Sequence, residues 1–205
     1  MVKELREKGI SDSRVLEAMD AVPRHLFLET MLDYMAYEDR ALPISCGQTI
    51  SQPTTVAFQS ELLEVEPDMK VLEVGTGSGY QTAVLHVLGA KVYTIERQKE
   101  LFDIAKRRLQ QLKYRVKCFL GDGYKGLPEY APFDRIIITC GAPSVPPELL
   151  AQLKVGGVLV IPVGNDHQEM LRIVKTSEGK DGILQQRYGD CKFVPMLGKL
   201  DYGKL

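Results

Sequence analysis

Hydrophobic residues follow two different periods along this chain. Five short apolar runs recur in its middle part, at residues 70–74, 91–95, 115–120, 135–139 and 157–162. Longer segments with an apolar face separate several of them, at residues 79–88, 98–112 and 147–153. The short runs predict buried strands and the longer segments predict helices. Such alternation is typical of an α/β fold in which helices cover both faces of a mostly parallel sheet.

The two ends of the chain depart from this alternation. Residues 1–37 predict a helical cover on the sheet, including a helix that Ser11 or Ser13 would cap and that would end at Val22-Pro23. Another helix is predicted to begin at Pro53-Thr54. Near the other end, the runs 170–176 and 183–188 flank a turn-rich segment. That pattern predicts a hairpin, which adds antiparallel strands to the sheet.

The length of 205 residues suits one domain. We expect it to consist of N-terminal helices with a substrate loop (1–53), a cofactor-binding core (54–165) and a C-terminal hairpin region (166–205).

Composition and charge narrow the classes of function. The 26 Lys and Arg residues against 27 Asp and Glu residues give a net charge of −1, which argues against a nucleic-acid partner. No apolar stretch approaches the ~20 residues of a membrane span, and the N-terminus lacks the apolar segment of a secretory signal. The four cysteines form no C-x-x-C pair, and the three histidines share no metal-ligand spacing. We therefore expect a cytoplasmic protein with reduced thiols, no metal and no membrane partner.

A glycine-rich turn follows the first strand of the alternating region. The segment Val71-Leu72-Glu73-Val74-Gly75-Thr76-Gly77-Ser78-Gly79-Tyr80-Gln81 reads as strand, turn and helix. Glycines let a ligand lie directly against the backbone, and a helix N-terminus presents free N–H groups to it. The spacing is G-x-G-x-G rather than the dinucleotide fingerprint G-x-G-x-x-G, which favours S-adenosylmethionine over NAD. The candidate cofactor contacts in the turn are Gly75, Thr76, Gly77, Ser78 and Gly79.

Three acidic residues accompany that turn. Glu73 could interact with the ammonium group of the cofactor's amino-acid tail, directly or through water. Glu96 ends the next predicted strand, 21 residues after Gly75, where an acid can bind ribose hydroxyls. Asp122-Gly123 follows the third strand, where the carboxylate can accept a hydrogen bond from an adenine amino group. Ligands of such sheets bind at the carboxyl ends of the strands, where all three acids are predicted to lie.

Residues 38–53 show neither the helical nor the strand period. So long a segment inside a compact domain is usually functional or disordered, and its apolar content favours an ordered binding loop. Gln48, Thr49 and Ser51 offer neutral hydrogen bonds that suit an anionic substrate group. A connector whose polar groups satisfy only its own backbone is the alternative.

These motifs together resemble the protein-L-isoaspartate (D-aspartate) O-methyltransferase family. The resemblance covers nearly the whole chain, and its most specific part is Gly47-Gln48-Thr49-Ile50-Ser51-Gln52-Pro53. The other matching segments are 22–27, 42–44, 71–81, 121–123, 132–134, 156–164 and 193–195. Ser45-Cys46 departs from the family pattern, which has Gly at the first of these positions.

The resemblance implies a Rossmann-like, S-adenosylmethionine-dependent methyltransferase fold. The implied activity is methyl transfer to the free α-carboxylate of L-isoaspartyl residues in damaged proteins, which act as the substrate partners; D-aspartyl residues are a second candidate acceptor. Ser51 matches the family's active-site serine, and Gln48, Thr49, Ile50 and Ser51 are the implied substrate-binding residues. We expect a monomer. Asp181-Gly182, in the predicted hairpin turn, is itself a candidate site of isoaspartate formation.

Two other classes of function stay open at this point. A small-molecule carboxyl methyltransferase would share the glycine-rich turn, and a non-catalytic module could bind isoaspartyl residues without turnover. A nucleic-acid methyltransferase is disfavoured, because Thr139-Cys140-Gly141-Ala142-Pro143 replaces the Asn/Asp-Pro-Pro-aromatic motif expected after the fourth strand.

Overall fold

A computed structural model describes residues 1–177 and 182–198. Its centre is a seven-stranded sheet, which confirms the predicted α/β class. The strands are β3 (Lys70–Val74), β4 (Lys91–Glu96), β5 (Lys117–Leu120), β6 (Phe133–Ile138), β7 (Leu153–Val163), β8 (Gln168–Lys175) and β9 (Ile183–Cys191). Their order across the sheet is β5-β4-β3-β6-β7-β8-β9. The first five are parallel, whereas β8 pairs antiparallel with both β7 and β9. The C-terminal hairpin was therefore correctly predicted. Asp181, for which the sequence predicted a turn, lies outside the described residues.

Helices between the strands agree with the predicted positions to within one or two residues at most ends. They are α3 (Pro53–Leu63), α4 (Tyr80–Val87), α5 (Lys99–Gln111) and α6 (Pro147–Gln152). Strand β7 begins at Leu153, earlier than the apolar run suggests. An irregular register between Phe133 and Arg135 accommodates the extra residues, as a β-bulge does.

The N-terminal segment forms the predicted cover, with one correction at a helix end. Helices α1 (Val2–Glu7) and α2 (Ser13–Ala21) are followed by two 3-10 helices, Arg24–Phe27 and Thr30–Met35. Neither Ser11 nor Ser13 caps α2. The carboxylate of Asp12 accepts hydrogen bonds from the backbone N–H groups of Arg14 and Val15. Asp ranks with Ser as an N-cap, so a cluster of candidate caps does not fix the helix start to one residue.

The segment predicted to be an irregular loop contains a short hairpin. Strands β1 (Leu42–Pro43) and β2 (Thr49–Ile50) pair antiparallel around a 3-10 turn, Ser45–Gly47. Two-residue strands are too short to give a hydrophobic period, which is why the sequence did not reveal them. At the tip Cys46 has a φ of 59°, in the left-handed region that ordinarily favours glycine. The departure from the family pattern thus falls on a turn with strained backbone.

Two apolar clusters, one on each face of the sheet, form the core. One unites the N-terminal cover and α3 and α4 with residues such as Val71; the other contains Leu72, Val74 and the apolar residues of β6 and β7. Because strand residues point alternately to the two faces, Glu73 shares the face of Val71. It is completely buried there and accepts a hydrogen bond from the hydroxyl of Thr82 on α4.

The side-chain carboxyl group of Glu73 is therefore inaccessible to water. Burial raises the pKa of the Glu73 carboxyl from 4.5 to about 8, and hydrogen bonds from Thr82 and Thr94 only partly offset that rise. Glu96 also raises the pKa of Glu73, by charge repulsion. The native protein consequently holds a proton that the unfolded chain releases between these two pKa values.

The linkage between this proton and folding predicts a pH-dependent stability. Unfolding releases the proton of Glu73 between pH 4.5 and about 8, so the free energy of unfolding should fall as the pH rises through that range. The slope for one group is at most about 1.4 kcal/mol per pH unit. In Glu73→Gln this contribution should vanish, which urea denaturation of wild type and variant at several pH values would measure. Glu17→Gln, on an exposed position of α2, is the control. Parallel pH profiles for wild type and Glu73→Gln would contradict the assignment.

Candidate functional site

A cleft of about 840 Å³ opens at the carboxyl ends of the parallel strands. It lies where the strand order reverses between β3 and β6, which is the usual ligand position in such sheets. Its walls come from the hairpin loop, the glycine-rich turn, the end of β4 with the start of α5, the end of β6, and the segment after β9. The lining residues are Gln48, Thr49, Ile50, Ser51, Val56, Val74, Gly75, Thr76, Gly77, Ser78, Tyr80, Gln81, Ile95, Glu96, Arg97, Gln98, Leu101, Thr139, Cys140, Val194, Pro195, Met196 and Leu197.

The glycine-rich turn forms the floor of this cleft. Gly75 has a φ of 97°, and a Cβ atom there would lie 2.5 Å from the hydroxyl oxygen of Thr139. That hydroxyl donates to the carbonyls of Val74 (3.0 Å) and Gly75 (2.6 Å). Any larger residue at position 75 would both strain the backbone and displace Thr139. The turn is therefore held close to β6, with its backbone exposed to the cleft.

Glu96 joins the turn to the next strand. Its side chain is only 7% exposed, and its carboxylate accepts hydrogen bonds from the N–H groups of Gly77 (2.9 Å), Arg97 (2.8 Å) and Gln98 (2.9 Å). Backbone donors on both sides fix its orientation, while it still lines the cleft. A carboxylate held in this way is a rigid acceptor for ligand hydroxyl groups.

Four of the predicted cofactor residues lie beside the cleft rather than in its lining. Glu73 is buried beneath the turn, and Gly79 precedes the first residue of α4. Asp122 accepts a hydrogen bond from the N–H of Tyr124 (3.0 Å). A Cβ atom on Gly123 would lie 2.5 Å from Val74 and 3.2 Å from Met196, two lining residues. The Asp122-Gly123 turn thus adjoins the cleft, and its adenine contact stays a prediction.

All four predicted substrate-binding residues line the cleft, as the loop positions them together. Ser51 follows β2 and precedes α3, and its hydroxyl makes no hydrogen bond with any residue in the described part of the chain. Ser51 also lines a second, smaller cavity of about 340 Å³, as do Thr49, Thr139 and Val194. An unengaged hydroxyl therefore lies at the junction of two cavities.

The predicted strand 135–139 indicated that Thr139 and Cys140 lie at the carboxyl edge of the sheet. The strand pattern did not identify the segment after β9 as a wall of the cleft. Gly141 donates to the carbonyl of Val194 (2.8 Å) and accepts from the N–H of Met196 (2.7 Å). The match of residues 193–195 to a family motif was the available signal, since no period marks this segment.

Cys140 is the cysteine of the cleft wall. Burial raises the pKa of its thiol to about 12, with a further rise from Glu96. It therefore stays protonated at neutral pH and is a poor nucleophile. Among the described residues no cluster of His, Cys, Asp or Glu could hold a metal ion.

The residues of the cleft fit S-adenosylmethionine. Exposed backbone suits a ligand in close contact, Glu96 provides a fixed acceptor for ribose hydroxyls, and Val74, Ile95 and Leu101 give an apolar surface for an adenine ring.

Comparison with known proteins gives a consistent picture. A protein-L-isoaspartate O-methyltransferase from Christiangramia forsetii is 57% identical over 198 residues, which cover 96% of this chain and 92% of that protein. Its counterpart from Flavobacterium johnsoniae is 55% identical over the same shares of both chains. A solved Plasmodium falciparum structure, described as this enzyme in complex with S-adenosyl-L-homocysteine, has a TM-score of 0.83 and 28% identity and covers 96% of each chain.

The family model of protein-L-isoaspartate(D-aspartate) O-methyltransferase matches residues 1–201, nearly the full length of the chain. The cleft, its glycine-rich floor and the serine at its edge lie within that match. This chain belongs to the protein-L-isoaspartate (D-aspartate) O-methyltransferase family.

Proposed function

We propose that this protein transfers a methyl group from S-adenosylmethionine to the free α-carboxylate of L-isoaspartyl residues in damaged proteins and peptides. The products are the methyl ester and S-adenosylhomocysteine. The observation that carries the proposal is the unengaged hydroxyl of Ser51 at the junction of the glycine-floored cleft and a second cavity. Ester formation promotes closure to a succinimide, whose hydrolysis returns part of the residue to normal aspartate.

The cofactor would be held by residues of the larger cleft. The turn from Gly75 to Gly79 would lie against its amino-acid tail and ribose, and Glu96 would accept hydrogen bonds from the ribose hydroxyls. Asp122 would accept one from the adenine amino group. Glu73, which is buried beneath the turn, would act through the position of the turn rather than by contact.

The acceptor requires no general base. Carboxyl pKa values lie near ~3.5–4, so the attacking oxygen is already ionised at neutral pH. S-adenosylmethionine, when bound, supplies an electrophilic methyl group on a sulfonium sulfur. The residues of the chain then align the carboxylate and exclude water from it. Ser51 would donate its hydroxyl proton in a hydrogen bond to the acceptor carboxylate, with Gln48, Thr49 and Ile50 forming the adjacent wall.

We further propose that the protein works as a single methyltransferase domain over residues 1–205 and as a monomer in the cytoplasm. The near-neutral net charge supports an activity without a nucleic-acid partner. In the described part of the chain no helix could span a membrane.

Two matched peptides test the activity. They differ only in carrying isoaspartate or aspartate at one position, and the measurement is base-labile incorporation of labelled methyl groups. We expect incorporation into the isoaspartyl peptide alone. Equal labelling of both peptides, or labelling only of small carboxylic acids, would contradict the proposed acceptor, and the absence of labelling would contradict the enzyme assignment.

Ser51→Ala tests the acceptor side of the site. Loss of one aligning hydrogen bond should reduce kcat/KM for the isoaspartyl peptide about tenfold to a hundredfold. The Kd of S-adenosylmethionine, measured by calorimetry, should stay within about twofold because Ser51 is assigned to the acceptor. Ser45→Ala in the same hairpin loop is the control, because Ser45 lines neither cavity. An unchanged kcat/KM for the isoaspartyl peptide would refute the role of Ser51.

Glu96→Gln tests the cofactor side. The amide offers one acceptor oxygen in place of two and carries no charge, so it can no longer serve both the backbone donors and the ribose hydroxyls. We expect the Kd of S-adenosylmethionine to rise about tenfold or more. Glu100→Gln, on an exposed position in the first turn of α5, should leave the Kd unchanged. Equal Kd values for both variants would remove Glu96 from the cofactor site.

A further inference from the structure

The smaller cavity differs from the cleft in its charge. Apart from the residues that it shares with the cleft, its lining residues are Ala41, Gln52, Thr55, Lys192 and Phe193. Lys192 is the charged residue among them, whereas the cleft is lined by Glu96 and Arg97. The cavity beside Ser51 is thus lined mainly by uncharged polar residues, with one cationic side chain, Lys192, at its wall.

Lys192 is available to bind an anion. Its side chain is exposed and forms no ion pair with any residue of the described ranges. Since a lysine ammonium group keeps its charge at neutral pH, an unpaired one at a cavity wall favours an anionic occupant.

The backbone next to Lys192 is held in place, which limits the positions that its ammonium group can reach. The side-chain amide of Gln168 bonds both backbone groups of Phe193: it accepts from the N–H (2.7 Å) and donates to the carbonyl (3.1 Å). Gln168 is itself buried, and Val194 is held by Gly141. A lysine attached to an anchored segment needs to order only its own side chain to meet a ligand.

We infer that Lys192 is a specificity-determining residue for the acceptor: its ammonium group attracts the α-carboxylate of the isoaspartyl residue into the smaller cavity, where Ser51 aligns it. This inference rests on the proposed function. It adds a consequence for turnover, because methyl transfer converts the carboxylate anion into a neutral ester. The charge attraction exists for the substrate and is lost for the product, so Lys192 favours exchange of product for substrate.

Lysine variants separate this role from a structural one. In Lys192→Met, which keeps a similar chain length without the charge, the KM for an isoaspartyl peptide should rise about tenfold, while kcat stays within about twofold. Lys192→Arg should restore most of the affinity because it keeps the charge. The Kd of S-adenosylmethionine, measured by calorimetry, should be the same in all three proteins. Lys3→Met, on exposed α1, is the matched control and should leave all constants unchanged.

Two further measurements address the charge itself. Raising the salt concentration should increase the KM of wild type and leave that of Lys192→Met nearly constant, because salt screens an exposed charge attraction. The synthetic peptide methyl ester should compete with the acid peptide much less well in wild type than in Lys192→Met, where the preference for the anion is reduced.

An unchanged KM in Lys192→Met, or equal salt dependence in both proteins, would overturn the role of Lys192. A raised Kd of S-adenosylmethionine would overturn it too, because Lys192 would then serve the larger cleft. These outcomes are distinct from a failure of the proposed function, which would appear in wild type as absent labelling of the isoaspartyl peptide.

Discussion

The end of the central strand β3 imposes the constraint on which the site depends. The regular strand pairing of β3 ends here, yet the backbone N–H and C=O groups that follow still need hydrogen-bond partners. The N–H of Gly75 still bonds the carbonyl of Ile95 on β4, and Thr139 satisfies the carbonyls of Val74 and Gly75 with its backbone and its hydroxyl. Because neighbouring strands supply these bonds, the turn can face the cleft without a side chain covering it. Only glycine at position 75 leaves Thr139 in place.

Thr139 also lies where the two cavities meet. It lines the cleft and the smaller cavity, as do Thr49, Ser51 and Val194. These four residues come from the loop before α3, the end of β6 and the segment after β9, which lie far apart in sequence. The residue that closes the end of β3 therefore stands at the boundary between the cleft and the smaller cavity. A change there would disturb the glycine-rich turn as well as both cavities, because the Thr139 hydroxyl bonds the turn. The hydroxyl of Ser51 makes no such bond in the described part of the chain.

The sequence predicted those parts of the site that have a strong local pattern, and it missed those that have none. Buried parallel strands and the glycine-rich turn produce strong local patterns, so their positions and the cleft edge were predictable. The hairpin at Leu42–Ile50 was not, because its strands have two residues each. The wall at Val194–Leu197 is held by hydrogen bonds with Gly141, and Gln168 bonds the preceding residue, Phe193. Such long-range contacts leave no period in the sequence. The strand pattern predicted the sheet edge at which Glu73 lies but not its complete burial, which depends on the packing of α4 against β3.

The chemistry of the acceptor explains why the site contains so little conventional catalytic machinery. An ionised carboxylate needs alignment rather than deprotonation, so a neutral hydroxyl is better suited to Ser51's place than a base would be. A strong cation in direct contact would lower the nucleophilicity of the attacking oxygen, whereas a charge at an exposed cavity wall attracts the anion with a weaker, screened field. Ser51 at the junction of the cavities can align the carboxylate by a hydrogen bond. Lys192, at the exposed wall, can attract the anion without direct contact to the attacking oxygen. In the cleft, the buried carboxylate of Glu96 accepts hydrogen bonds from three backbone N–H groups. Among the described residues that line the smaller cavity, in contrast, none is acidic, and the one charged residue, Lys192, is exposed.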